Sequence, residues 1–287
     1  MTQTLLVFGA GYVGSAFARA MAAHRWRVGA TARREAARAE LAAAGLRPAD
    51  PGSAHDLAAA LADADAVLIT AAPDDAGCPG LAALGPLLMV AAKPPGWIGY
   101  LSTTGVYGDR AGGWVMEDSP LAPLSEPARR RVAAEAGWRD LGAAIGAPVH
   151  IFRLPGIYGP GRSAFDRLRD GTARRLVRPG QVFSRIHRDD IVSALTASLA
   201  RGGAGKTFNL CDDEPCPPQD VIAYAAALLG VEPPPEEVFD ERVLSPASLR
   251  FYGESKRVSN ARGKAMLGWR PTYPTYREGL AAVLAEQ

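Results

Sequence analysis

Six residues near the start of the chain, Gly9-Ala10-Gly11-Tyr12-Val13-Gly14, restrict the fold more than any other segment. They follow a short apolar run, Thr4-Leu5-Leu6-Val7-Phe8, and open an Ala-rich amphipathic stretch, so they occupy a strand-to-helix turn. Each glycine has its own reason to be there. Gly9 permits a tight turn, Gly11 lets backbone amides approach a pyrophosphate, and Gly14 lets helix and strand pack closely. A bound diphosphate would lie on the positive end of that helix. In this context the pattern predicts a dinucleotide site with Gly9, Gly11, Tyr12, Val13 and Gly14 as cofactor-binding residues; a glycine-rich turn that binds nothing is the alternative.

The rest of the first half repeats the same rhythm. Short apolar runs at Thr4 to Gly9, Arg27 to Ala32, Leu46 to Asp50, Ala66 to Ala71, Trp97 to Ser102 and Val149 to Leu154 alternate with helical stretches beginning near Tyr12, Glu35, Ser53, Pro79 and Pro127. Ser53 with Asp56 reads as an N-terminal capping pair. Alternating βα units build a parallel sheet covered by helices, so the fold class is α/β, a Rossmann-type doubly wound sheet. After Leu154 the run Pro155-Gly156-Ile157-Tyr158-Gly159-Pro160-Gly161 breaks the rhythm. Beyond it a helix is expected from Asp189-Asp190 to about Leu199, a strand at Lys206 to Leu210 and a helix at Gln219 to Leu229.

Composition narrows the partners. The 287 residues carry 32 Lys+Arg against 30 Asp+Glu, a net charge of +2 with no block of one sign, which argues against nucleic acid or an anionic membrane surface as partner. No apolar run reaches the ~18 residues that span a bilayer, and the N-terminus begins on a strand pattern with no cleavable leader, so a cytoplasmic location is expected. Cys78, Cys211 and Cys216 suit neither a disulfide framework nor a metal site, and no metal is expected. His24, His55 and His150 read as surface or element-end residues.

The residue that selects the dinucleotide stands at the end of the second strand, about 20 positions past the loop. Here that place holds Arg33, followed by Arg34. Two guanidinium groups suit a 2′-phosphate, which they can bind bidentately, so NADP(H) is preferred over NAD(H). The other reading is a solvated basic helix start, with Glu35 able to swing in.

Several motifs together resemble the extended and atypical short-chain dehydrogenase/reductase superfamily, the NAD(P)-dependent epimerase/dehydratase group. They are the glycine loop, Leu101-Ser102-Thr103-Thr104-Gly105-Val106-Tyr107-Gly108, the segment Arg153 to Gly161, Ile186-His187-Arg188-Asp189-Asp190-Ile191, and Phe208-Asn209-Leu210. The resemblance covers nearly the whole chain. It implies Thr103 as the hydroxyl that polarises a substrate carbonyl or alcohol, Ala71, Ala72, Ser102, Pro155 and Gly156 as further cofactor contacts, and Tyr158 and His187 on the substrate side. The plainer reading of Thr103 is a β-branched residue closing a buried strand. Asp189 or Asp190 is expected to cap the helix that begins there, and Arg153 to orient the turn after it.

The resemblance breaks at the proton relay. The family's Tyr and, four positions later, Lys fall on Pro127 and Arg131 in the stretch ending at Glu135. Proline has no proton to give, and arginine stays charged, so Arg131 could hold a ribose hydroxyl or phosphate but could not work as an ordinary acid or base. The glycine loop is also one residue tighter than the family's usual form. Tyr107 or Tyr158 is the alternative proton donor, or else a structural tyrosine.

These features imply an NADP(H)-dependent oxidoreductase or epimerase acting on a hydroxyl or carbonyl of a small polar, sugar-like or nucleotide-sugar-like substrate. The alternative is a non-catalytic NADP(H)-binding redox sensor or regulatory module; a lyase-type enzyme using the cofactor transiently is a third. A homodimer is the assembly the family resemblance implies. The expected layout is a dinucleotide-binding domain over 1–154, a first part of a substrate subdomain over 155–185, a return to the cofactor domain over 186–211 and a second substrate part over 212–287.

Overall fold

The computed structural model describes residues 2–243, 249 and 252–287. The chain divides into two compact units, each assembled from separate segments. The first comprises Met1–Thr103, Glu126–Arg153 and Val192–Phe208, the second Thr104–Ser125, Leu154–Ile191 and Asn209–Gln287.

The first unit is built on a seven-stranded sheet. Its strands are β1 (Thr4–Phe8), β2 (Arg27–Thr31), β3 (Arg47–Ala49), β4 (Ala66–Ile69), β5 (Trp97–Thr103), β7 (Val149–Leu154) and β11 (Thr207–Asn209), in the order β11-β7-β5-β4-β1-β2-β3. Strand order reverses between β1 and β4, the place where open parallel sheets bind ligands at their carboxyl ends. Helices α1 (Tyr12–Ala23), α2 (Glu35–Ala43), α3 (Ala54–Leu61), α4 (Pro79–Met89) and α5 (Glu126–Ile145) connect the strands, and α7 (Arg188–Arg201) leads back to β11. The inner strands are buried on both faces, which is why they read as unbroken apolar runs.

One core cluster joins Leu6, Phe8, Val67, Ile69, Ile98, Tyr100, Trp138 and Ile151, all nearly inaccessible to solvent. Trp97 donates its indole N–H to the Ser198 hydroxyl at 3.1 Å, which ties α7 to β5. The expected elements are present with ends shifted by a residue or two, and the Ser53 hydroxyl accepts the Asp56 amide at 3.2 Å as the cap of α3. No helix among the described residues is long and apolar enough to cross a membrane.

The second unit uses short two-stranded parallel pairs in place of a large sheet. β6 (Trp114–Val115) pairs with β13 (Arg257–Val258), β8 (Gly156–Tyr158) with β10 (Arg185–His187), and β9 (Arg175–Val177) with β12 (Glu236–Val238). Helices α6 (Ala164–Arg169), α8 (Pro218–Leu229) and α10 (Tyr276–Ala285) close a core of Phe165, Ile222, Ala225, Tyr276, Leu280 and Val283, while α9 (Ala261–Leu267) precedes the last link. Full capping boxes, Ser163 with Asp166 and Thr275 with Glu278, start α6 and α10.

His150, expected at the surface or an element end, stands at the start of β7 and is buried there. His150 is 2% exposed, stacked among Trp97, Phe152 and Phe208 with ring centroids about 6 Å apart, and neither ring nitrogen has a hydrogen-bond partner. Burial lowers its pKa from 6.5 to about 4. The folded state therefore holds a neutral imidazole that the unfolded chain would protonate, so stability present above pH 6.5 is lost as the pH falls towards 4. Replacing His150 with Phe should raise stability by about 1–3 kcal/mol at neutral pH, because two unsatisfied polar atoms leave the core. It should also flatten the acid limb, checked by denaturant unfolding at pH 8 and pH 5; a variant less stable than wild type at both would refute this reading.

Candidate cofactor and catalytic site

The glycine loop is held by hydroxyls from neighbouring strands. Gly9 takes φ +104°, a backbone state that side chains other than hydrogen disfavour. Its amide donates to the Thr31 hydroxyl at 2.8 Å, and its carbonyl accepts from the Thr70 hydroxyl. A Cβ at Gly14 would run into the Gly9 carbonyl, whereas a Cβ at Gly11 would meet open space. The loop is thus closed towards the sheet and open where a diphosphate would approach. Gly11 caps α1 without a side chain, so nothing covalently attached covers the amides of the first turn. This cradle fits a dinucleotide diphosphate. Val13 is buried, Tyr12 half-buried; Ala71, half-buried, and Ala72, exposed, follow β4.

At the end of β2, Arg33 and Arg34 are both exposed. Arg38, one turn into α2, donates to the carbonyls of Ala32 at 3.0 Å and Arg33 at 2.8 Å and lies 3.4 Å from the Asp50 carboxylate. It fixes the backbone that carries Arg33 and occupies the nearby acid. Sequence reasoning passed over Arg38, Thr31 and Thr70, although an Arg in the first turns of α2 was a visible signal.

The carboxyl end of β5 is organised from α5. Glu135, fully buried, accepts from the Ser102 hydroxyl at 2.6 Å, from Arg153 Nε and Nη2 at 3.0 and 2.7 Å, and from Arg139 at 3.2 Å. Ser102 is therefore engaged in the wall of the sheet. The Arg153 guanidinium holds Glu135. Arg131 donates to the Leu101 carbonyl and, at 3.2 Å, to the Tyr100 hydroxyl, so it anchors the strand end next to half-buried Thr103. Burial pushes the Tyr100 phenol up to about 12 against the opposing effect of Arg131.

The second unit carries the other expected residues. Tyr107 is inaccessible, its hydroxyl 2.7 Å from Asn209 Oδ1, while Glu117 accepts the Asn209 amide at 2.9 Å. The expectation of Tyr107 as proton donor is corrected accordingly: it belongs to a buried structural network. His187 is also wholly buried, its ring centroid 5.3 Å from Tyr158 and 4.3 Å from Tyr273. Its Nδ1 accepts the Asp189 amide at 3.2 Å, so the imidazole caps α7, and burial lowers its pKa to about 4. The capping role expected of the aspartates and the substrate contact expected of His187 are both corrected. Asp190 instead accepts the amides of Thr272 and Tyr273 at 2.6 and 3.1 Å, with its pKa raised to about 6 by burial against those two bonds. Tyr158 is half-buried, its ring against Gly279, with the phenol pKa raised by burial; Pro155 and Gly156 precede it at the start of β8.

Comparison with known proteins gives a consistent picture. No family model matches the chain. Protein YeeZ of Escherichia coli (strain K12) is 30% identical over 259 residues, 81% of this chain and 86% of that protein. A 3-diazoavenalumate denitrifying reductase from a Streptomyces species is 30% identical over 180 residues, and the match spans 57% of each chain. GDP-6-deoxy-D-mannose reductase of Pseudomonas aeruginosa is 28% identical over 69% of each. Among solved structures, a conserved protein of unknown function from Silicibacter pomeroyi DSS has a TM-score of 0.92 at 48% identity over 99% of both chains. The dTDP-glucose 4,6-dehydratase DesIV of Streptomyces venezuelae, solved with NAD bound, has a TM-score of 0.81 at 23% identity over 99% of this chain and 96% of its own.

The close fit of Gly14 against the Gly9 carbonyl has a direct test. Gly14→Ala should displace the loop and lower dinucleotide affinity about tenfold or more, read by calorimetric titration, while Gly11→Ala should fold normally. Undiminished binding in Gly14→Ala would remove the loop from the cofactor site.

Proposed function

This chain belongs to the extended short-chain dehydrogenase/reductase superfamily, in its NAD-dependent epimerase/dehydratase group, and from that premise we propose that it is an NADP(H)-dependent oxidoreductase or epimerase acting on a small polar, sugar-like substrate. The observation that carries the cofactor preference is the end of β2. Arg33 and Arg34 stand exposed there, and Asp50 is paired with Arg38, so the local field favours a 2′-phosphate over a bare ribose hydroxyl.

When bound, the nicotinamide cofactor supplies or accepts the hydride. The chain's own part is to bind, orient and stabilise. The glycine loop and first turn of α1 take the diphosphate, and Thr103 donates a hydrogen bond to the substrate oxygen on which charge develops. Arg131, fixed to the end of β5, holds Thr103 in register and offers positive charge to the ribose side. Tyr158, Pro155 and Gly156 are the residues of the second unit proposed to face the substrate and the cofactor. Free Cys78, Cys211 and Cys216 suit a reducing, cytoplasmic compartment, and a homodimer is the proposed assembly.

A second reading has one observation in its favour. Pro127 replaces the usual acid and Tyr107 is committed to Asn209, which suits a non-catalytic NADP(H) sensor. The two readings separate in a turnover screen with NADPH against carbonyls, nucleotide sugars and, given the diazo-reducing relative, an aryl diazo compound.

NADPH should raise the melting temperature more than NADH at equal concentration, and Arg33→Ala/Arg34→Ala should erase the difference while leaving the NADH shift intact. Equal shifts in the wild type would overturn the preference. On any substrate that turns over, Thr103→Ala should lower kcat about 10²–10³-fold with little change in cofactor binding; an unchanged kcat would take Thr103 out of the mechanism.

A further inference from the structure

Helix α5 carries four arginines, Arg129, Arg130, Arg131 and Arg139. Three of them have a carboxylate. Arg129 Nε lies 2.8 Å from Glu126, Arg130 reaches Asp75 in the loop after β4, and Arg139 lies 3.2 Å from Glu135, whose remaining charge is taken by Arg153 at 2.7 Å. Arg131 forms no ion pair among the described residues; its bonds go to a carbonyl and a phenol. All of these groups belong to the first unit.

A guanidinium holds its five N–H donors in a rigid fork. The two on Nη1 match the two bonds that Arg131 makes, one to the Leu101 carbonyl and one, at 3.2 Å, to the Tyr100 hydroxyl. That leaves Nε–H and Nη2, whose shared edge presents two parallel donors. Neither nitrogen has a partner among the described residues, neither is sealed from solvent, and Arg131 as a whole is half-buried, so water reaches this edge. The helix side leaves it clear as well: Pro127, four positions earlier and one turn away on the same face, is exposed and projects only its ring.

Tyr100 supplies no counter-charge. Burial pushes its phenol up to about 12, so it stays neutral at neutral pH. A charge partly withdrawn from water and left unanswered is unfavourable, and an anion seated on the free edge relieves it. On the cofactor reading above, the diphosphate has the glycine loop and a 2′-phosphate has Arg33 and Arg34, so neither cofactor anion calls on Arg131.

The shape of the edge narrows the ligand. Two parallel donors in one plane match the two coplanar oxygens of a carboxylate, and one positive charge balances one negative. The strand that fixes Arg131 through Leu101 also carries Thr103, two residues or roughly 7 Å further along, a span that a carboxylate and an adjoining oxygen-bearing carbon bridge with a hydrogen bond at each end. We propose that the Nε and Nη2 edge of Arg131 binds a carboxylate of the substrate, on the carbon next to the one whose oxygen meets Thr103, which makes the substrate a 2-oxo or 2-hydroxy acid. The proposal rests on the oxidoreductase reading above and adds to it the anionic group that the substrate carries.

The probes are oxamate, an unreactive isostere of a 2-oxo acid, its neutral amide oxamide, and inorganic phosphate, titrated calorimetrically into the full chain saturated with NADPH. Oxamate should bind about tenfold more tightly than oxamide, and phosphate should not displace it. Arg131→Lys keeps the charge and a donor for the Leu101 carbonyl but loses the fork; it should lose about tenfold in oxamate affinity while its affinities for oxamide and NADPH stay within about twofold of wild type. The wild type decides the matter even where that variant folds poorly: an arginine Nε–H signal in its NMR spectrum should move with oxamate and stay in place with oxamide. Equal affinity for oxamate and oxamide, an unmoved Nε–H signal, oxamate binding untouched by Arg131→Lys, displacement by phosphate, or an NADPH affinity that falls together with that for oxamate would each overturn the proposal. In those cases NADPH binding by the wild type leaves the cofactor reading standing, whereas a wild type that binds no NADPH removes that reading and the proposal with it.

Discussion

The buried carboxylate of Glu135 is the interaction on which the first unit's working edge depends. From α5 it reaches Ser102 at the end of β5 and Arg153 near the end of β7, and so sets where two central strands stop relative to the helix beside them. A charge with no exposure survives in a sheet only when its lone pairs are filled, and here a guanidinium and a hydroxyl fill them in bidentate and short geometry. Removing one partner leaves a bare charge in the core, at a cost of about 3–5 kcal/mol. Thr103 follows Ser102 directly, and Arg131 lies one turn before Glu135 on the same helix. The position of the candidate catalytic hydroxyl is therefore inherited from a structural ion pair.

A different economy governs the glycine loop. It has no charge of its own and is shaped by two threonine hydroxyls, from Thr31 and Thr70, that grip the Gly9 peptide on either side. Specific charge enters only at the end of β2, where Arg38 makes the difference between a flexible basic turn and a fixed one. On the proposed reading, diphosphate binding and ribose discrimination would fall to separate devices, one made of backbone and the other of side chains.

Much of this was legible in the sequence, and the rest failed for identifiable reasons. The βα rhythm of the first half is a strong signal because parallel strands buried on both faces leave long apolar runs, and the strands fall where the runs are. The second unit is made of two- and three-residue strands such as Trp114–Val115 and Arg257–Val258, too short for any periodicity, and that pair joins segments more than a hundred residues apart. Helix α10 could have been found from the Thr275 to Glu278 capping box, which was overlooked. At the site, the glycines were readable because their role is local. The burial of Tyr107, His150 and His187 could not be read because it is a property of tertiary contacts: a tyrosine that looks like an acid and one that braces Asn209 are spelled alike.

The first turn of α5 has a consequence for how the superfamily diversifies. Helix α5 begins at Glu126, so Pro127 occupies a place where the missing amide hydrogen has no intrahelical acceptor to disappoint, and its fixed φ suits a helix start. A proline there is invisible to the fold. The position at which the family resemblance would place an acid is thus one where side chains can be exchanged with little penalty in packing or helical hydrogen bonding. A side chain at that point can change while the backbone stays superimposable, so the shared architecture does not by itself fix whether a proton is moved there.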